Sequence, residues 1–267
     1  MTGRRWEELP PALESMAEIR SALAGRPPVL FLDYDGTLTP IVKRPENAIL
    51  EEGMRAILRK LAELCTVAVV SGRDRADAEK LVGLENLIYA GSHGFDISGP
   101  RGLHFEHEGG RQTLGELDRA EKQLKERLQD VQGVQVERKR FALAVHYRNV
   151  ADDDLPFIKN TVSEVSRGLQ GLKTSPGKKV LELKPNLEWD KGQALLWLLE
   201  RLGLKEEQVL PLYLGDDLTD EDALRVLADR GVGILVGDHG HPTHARFRLK
   251  DVGEVKQFLQ ELEGLLT

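Results

Sequence analysis

The chain has 267 residues, a formal net charge of −7 and a single cysteine, Cys65. That length can bury the core of one large domain or two unequal ones, the acidic balance argues against a general nucleic-acid binder, and one thiol excludes any disulfide within the chain. The opening "MTGRRWEELPPALESM" has no apolar segment behind its basic residues, and no stretch approaches the roughly 18 apolar residues of a membrane span, so a soluble, cytoplasmic protein with no membrane or nucleic-acid partner is expected.

"PPVLFLDYDG", "CTVAVVSGR" and "LIYAGSHG" are strand-like runs separated by "EEGMRAILRKLAEL" and "RADAEKLVGL", whose apolar residues recur at helical spacing. The middle of the chain changes character. A helical stretch, "RQTLGELDRAEKQLKERLQDV", is followed by "GVQVERKRFALAVHYRN", whose alternation suits exposed antiparallel strands, then by a helix over about 153–169 and by "KKVLELKP". After it, "QVLPLYLGDD" and "VGILVG" flank the helical "LTDEDALRVLADRG". Continuous apolar strands between amphipathic helices predict a doubly wound parallel α/β sheet covered on both faces. The expected organisation is a core over 1–104 and 188–267, interrupted by a smaller α+β domain over 105–187.

Ligands of an open parallel sheet bind beyond the carboxyl ends of its strands, and four strand ends here carry useful groups. They are Asp33 and Asp35, Ser71-Gly72-Arg73, Ser92-His93-Gly94, and Asp216-Asp217. Each alone is an ordinary turn or helix cap; together they form a pattern. An EF-hand is excluded, because counting from Asp33 its sixth and twelfth loop positions would be Leu38 and Arg44 instead of Gly and Glu. Asp33 and Asp35, two apart on an extended segment, face one volume that Asp216 or Asp217 approaches from another strand. Clustered carboxylates need a cation, and an all-oxygen ligand set with open positions suits Mg²⁺.

"DYDGTLTP", "VVSGR", the Lys-Gly of "WDKGQALLWLLE" and "GDDLTDED" resemble, in order and spacing, the motifs of haloacid-dehalogenase-type phosphatases, whose cap module belongs where the α+β insertion lies. With "GSHG", "VERKRFALAVHYR" and "LELKP", the chain is similar to the trehalose-6-phosphate phosphatases within that superfamily. The resemblance implies a Mg²⁺-dependent phosphatase acting on a small sugar phosphate. Asp33 would be the nucleophile that forms an aspartyl phosphate, Asp35 the general acid and base, and Asp33, the Asp35 carbonyl and Asp216 the metal ligands. Ser71, with the backbone of Gly72 and Arg73, would hold phosphoryl oxygens, and Lys191 would neutralise developing charge, with Lys184 a competing lysine. Lys191 is preferred because it begins a helix. Asp217 and Asp220 would orient metal-bound water or cap the helix at "TDEDA", and Thr37 would orient Asp35.

In the insertion, Glu137, Lys139, Arg148, Lys178 and Glu182 occupy the family positions that contact the disaccharide, and His93 would meet the glycosyl part from the core. His239, His241 and His244 of "HGHPTHA" lack the spacing of a zinc site and read as loop residues. Rival readings are a phosphatase of sucrose 6-phosphate or mannosyl-3-phosphoglycerate, a phosphomutase, and a non-hydrolytic sugar-phosphate sensor. The second acid at Asp35 favours hydrolysis over sensing. No obligate protein partner is evident, and a monomer is expected.

Overall fold

The apolar runs form strands and the amphipathic stretches between them form helices in the computed structural model, which describes residues 3–267 apart from Lys43, Lys178 and Glu206. Contacts divide the chain into two compact units, Met1–His104 with Trp189–Thr267, and Phe105–Glu188.

The chain begins with α1 (Met16–Leu23), β1 (Pro28–Leu32), α2 (Glu52–Leu64), β2 (Thr66–Val70), α3 (Arg75–Val82), β3 (Ile88–Gly91), β4 (Asp96–Gly99) and β5 (Leu103–Glu106). Next come α4 (Glu108–Gln112), α5 (Leu114–Leu128), β6 (Gln135–Lys139), β7 (Ala142–His146), α6 (Leu155–Arg167), β8 (Leu172–Gly177) and β9 (Val180–Pro185). It closes with α7 (Lys191–Arg201), β10 (Leu210–Gly215), α8 (Glu221–Leu227), β11 (Val232–Val236), β12 (Phe247–Leu249) and α9 (Val252–Leu266).

The large sheet has the order β12-β11-β10-β1-β2-β3-β4-β5, parallel from β12 to β3 and antiparallel between β3 and β4. Every residue of β1, β10 and β11 is buried, as expected for strands covered on both faces. Met54, Ile57, Leu58 and Leu61 of α2, and Val255, Phe258, Leu259 and Leu262 of α9, follow the i, i+3, i+4, i+7 spacing of a core-facing stripe. They pack with Leu30, Leu32, Val67, Val69, Leu212 and Leu214 on one face of the sheet; burial of each such side chain contributes about 1.5–3 kcal/mol. Strand alternation sends Tyr213 to the opposite face, where α8 packs against β10 and α7 against α8. The strands following β1 extend to one side and β10, β11 and β12 to the other. The order therefore reverses between β1 and β10, which is where such sheets bind ligands.

In the second unit β6, β7, β9 and β8 form an antiparallel sheet in that order. Leu143, Val145 and Leu183 pack with Leu117, Leu124, Ile158 and Val162 of α5 and α6. Alternation leaves Glu137, Lys139, Ala144, Glu182 and Ser175 on the other face. Two features depart from the sequence reading. β7 is buried from Ala142 to Val145 instead of exposed, because it takes an interior place in the sheet. β4, β5, β8 and β12 are additional strands, short or interrupted by glycine and proline; Pro176 is tolerated because β8 is an edge.

Candidate active site

Asp33 follows β1 directly and is anchored by its backbone N–H, which donates to the Leu214 carbonyl of β10 at 2.9 Å. Its Oδ1 accepts from Lys191 Nζ at 2.6 Å, and the same ammonium donates to Asp220 Oδ1 at 2.6 Å. Lys191 opens α7, which is capped by Asp190 accepting from Gln193 N at 2.8 Å. Asp220 has no exposed surface, and both its oxygens are occupied. Oδ1 also accepts from the Tyr213 hydroxyl, while Oδ2 accepts from the backbone N–H groups of Asp216 (3.1 Å) and Asp217 (2.9 Å). Burial works against the Lys191 charge, but Asp220 and Asp33 outweigh it and hold the ammonium above its ordinary value. Burial drives Asp33 well upward against the pull of Lys191, and the charges of Asp220 and Asp216 add to the rise.

Asp216 supplies the clearest sign that this site suits a cation. Its Oδ1 is buried with no hydrogen-bond partner among the described residues, and its carboxyl is pushed up to about 7 by burial and by Asp220. An oxygen each from Asp33, Asp216 and Asp220 lies within 4.8 Å of the others, the one such cluster among the described residues. Because Asp220 is already saturated with donors, the capacity to bind a metal falls on Asp33 and Asp216. Gly36 makes their approach possible: at φ +89° it adopts the left-handed conformation, and a Cβ there would lie 2.1 Å from Asp216 Oδ2. An all-carboxylate and carbonyl donor set fits a hard ion such as Mg²⁺.

Asp35 and Arg73 form a two-pronged pair, Nε to Oδ2 and Nη2 to Oδ1, both at 2.7 Å. Arg73 also donates to Asp77 Oδ2 at 2.9 Å and to the Pro45 carbonyl at 2.9 Å, and its guanidinium lies over the Tyr34 ring. Burial opposes its charge, but the bonds and charges of Asp35 and Asp77 hold it above its ordinary value. The planar fork of Arg73 is thus committed to two carboxylates and a carbonyl. Thr37 does not orient Asp35 as expected, because its buried hydroxyl has no hydrogen-bond partner among the described residues. Ser71 is buried, and its Oγ accepts from Arg73 N at 3.1 Å. His93, in the left-handed region at φ 57°, donates its N–H to the Ser71 carbonyl at 2.9 Å. Its ring lies against Gly72, where a Cβ would come within 2.9 Å of Cε1.

In the second unit, Lys139 Nζ donates to Glu182 Oε1 at 2.8 Å, and Glu137 Oε2 meets His146 Nε2 at 2.7 Å. Arg148 is exposed in the turn after β7, Lys184 stands opposite Lys173 in the sheet, and Lys178 lies outside the described residues. His239 Nε2 and His244 Nδ1 bond separate oxygens of Glu221, at 3.0 and 3.1 Å, which pins their loop to the start of α8.

Sequence reasoning gave Asp220 a water-orienting or capping role and overlooked Tyr213 and His146. The signal for Asp220 was its place four residues after Asp216, which returns its carboxylate to the backbone N–H groups it caps. Tyr213 was the one side chain with a polar tip in the otherwise apolar "LPLYL".

Fold and site define the class: this is the haloacid-dehalogenase-like hydrolase fold, shared with hydrolases of known structure. Residues 31–253 match the model of the family described as trehalose-phosphatase. The chain is 41% identical over 264 residues to the probable trehalose-phosphate phosphatase D of Arabidopsis thaliana, an alignment covering 95% of this chain and 72% of that one. The chain belongs to the trehalose-phosphatase family. It is also 46% identical over 262 residues to a Mycobacterium tuberculosis protein named an uncharacterized glycosyl hydrolase. That match covers 95% of this chain and spans 20% of the longer protein. A crystal structure of a trehalose-6-phosphate phosphatase related protein superposes with a TM-score of 0.78 at 28% identity, over 89% of this chain and 97% of that one.

Proposed function

We propose that the chain is a cytoplasmic, Mg²⁺-dependent phosphatase of trehalose biosynthesis that releases trehalose and phosphate from trehalose 6-phosphate through an aspartyl phosphate. The observation that carries this reading is the set of buried groups at the switch point: Asp33 bonded by Lys191, beside the unpartnered oxygen of Asp216.

In this mechanism Asp33 attacks phosphorus in line as the bond to the sugar oxygen breaks, and Asp35 gives that oxygen a proton. Water then attacks phosphorus and passes a proton to Asp35, which frees phosphate and restores Asp33. Lys191 orients the Asp33 carboxylate and faces the charge that gathers on the transferring group, while Ser71 Oγ and the backbone after it hold phosphoryl oxygens. Arg73 aligns Asp35 between the two steps. Held by Asp33, the Asp35 carbonyl and Asp216, Mg²⁺ would offset the repulsion between these acids and the phosphate dianion. In the second unit Glu137, Lys139, Arg148, Lys178 and Glu182 select the disaccharide, and His93 meets it from the core.

Phosphate release from trehalose 6-phosphate, sucrose 6-phosphate and mannosyl-3-phosphoglycerate, with Mg²⁺ or EDTA, tests this reading. Turnover should favour the trehalose ester, stop with EDTA and vanish in Asp33→Asn with the fold retained. Binding with no phosphate released would instead favour a sensor.

A further inference from the structure

Glu137 stands on β6, an edge strand, where a glutamate with an exposed tip would sample many rotamers. It does not hang free. In register, Glu137 faces Ala144 and Gln135 faces His146, so His146 sits on the diagonal from Glu137 on the same face of the sheet. Its Nε2 meets Glu137 Oε2 at 2.7 Å. That hydrogen bond is the leading cause holding the Glu137 carboxyl below its ordinary value, with Lys139 adding to it. Across Ala144 on β7, Glu182 of β9 takes up Lys139 at 2.8 Å. The face thus carries two preset pairs, one on each side of an alanine floor. In one pair both members are proposed sugar contacts; in the other, only Glu137 is.

We propose that His146 is a positioning residue for sugar recognition: it fixes one oxygen of Glu137 and so presents the other to a sugar hydroxyl. The assignment rests on the reading that this face receives the disaccharide. A carboxylate already oriented by one N–H donor loses less freedom when it takes a second, so the gain appears in binding and not in the chemical step. A glutamine can place an amide N–H where the imidazole has Nε2, which makes His146→Gln the conservative replacement.

The test measures kcat and KM with Mg²⁺ for trehalose 6-phosphate and for p-nitrophenyl phosphate, which has no sugar. The proteins are wild type, His146→Ala, His146→Gln, Glu137→Gln and the His146→Ala/Glu137→Gln double variant. His146→Ala should raise KM for the sugar ester about tenfold while kcat stays within about threefold. Hydrolysis of the aryl ester should not change, His146→Gln should recover most of the loss, and the double variant should match Glu137→Gln alone. An unchanged KM in His146→Ala, parallel loss of aryl phosphatase activity, or additive effects in the double variant would each overturn the assignment. A wild type with no preference for the sugar ester overturns the trehalose 6-phosphate reading and this assignment with it. A clear preference that survives His146→Ala intact overturns His146 alone.

Discussion

Arg73 grips Asp35 at both carboxylate oxygens, each bond 2.7 Å long, and a third bond to Asp77 keeps the guanidinium plane from turning. A lysine at 73 would keep the charge and lose the fork. Arg73→Lys should therefore lower kcat for sugar-phosphate hydrolysis by about fivefold or more, as expected when roughly 1–3 kcal/mol of alignment is lost. A steady-state phosphate-release assay checks this, and a wild-type kcat would show that Asp35 needs no such alignment.

Gly36 admits no side chain, since a Cβ would lie 2.1 Å from Asp216 Oδ2 at a backbone φ of +89°. Gly36→Ala combines left-handed strain with displacement of a proposed metal ligand. It should destabilise the protein by about 2–4 kcal/mol and weaken Mg²⁺ binding. Urea denaturation and calorimetric titration with Mg²⁺ measure the two effects separately.

The Asp216 carboxyl lies at about 7, above its ordinary 3.8, so the metal-free fold binds more protons than the unfolded chain between those values. The stability this supplies is present at acid pH and is lost as the pH rises through about 7; Asp33, also raised, acts in the same direction. A metal needs the carboxylates deprotonated, so Mg²⁺ should raise the melting temperature by several degrees near pH 7.5 and hardly at all near about pH 5. Asp216→Asn should flatten that contrast. An equal Mg²⁺ shift at both pH values would contradict the proposed ligand set.

The Tyr213 hydroxyl donates to Asp220 Oδ1, the same oxygen that receives Lys191. Tyr213→Phe removes a donor from a fully buried carboxylate while Lys191 and two backbone N–H groups remain. The expected loss is about 1–2 kcal/mol of stability by denaturant melt, with a fall of a fewfold in kcat. An unchanged melt would mean that Lys191 alone satisfies this oxygen.

The central strands were legible because their apolar runs are continuous, and "VLFL" and "LPLYL" admit little else. β12 has three residues, and β8 carries proline and glycine, so neither rises above the pattern of a loop. In the site, Asp33 and Asp216 could be picked out because each follows a continuous apolar run, the end of a strand where an open parallel sheet binds ligands. The partner of Arg73 could not, because so long a side chain reaches phosphate or carboxylate equally well and only coordinates decide. His146 needed the register of β6 on β7, which sequence alternation leaves open by two residues.

Asp33 and Lys191 meet across 158 positions of chain, with the whole second unit encoded between them. Asp33 is therefore made before the second unit, and Lys191, Asp216 and Asp220 after it. A truncated product that stops within the second unit carries the "DYDGT" segment but neither the ammonium nor the second acidic cluster. The chemistry proposed at Asp33 would thus wait until the chain has passed through the second unit and returned to the first.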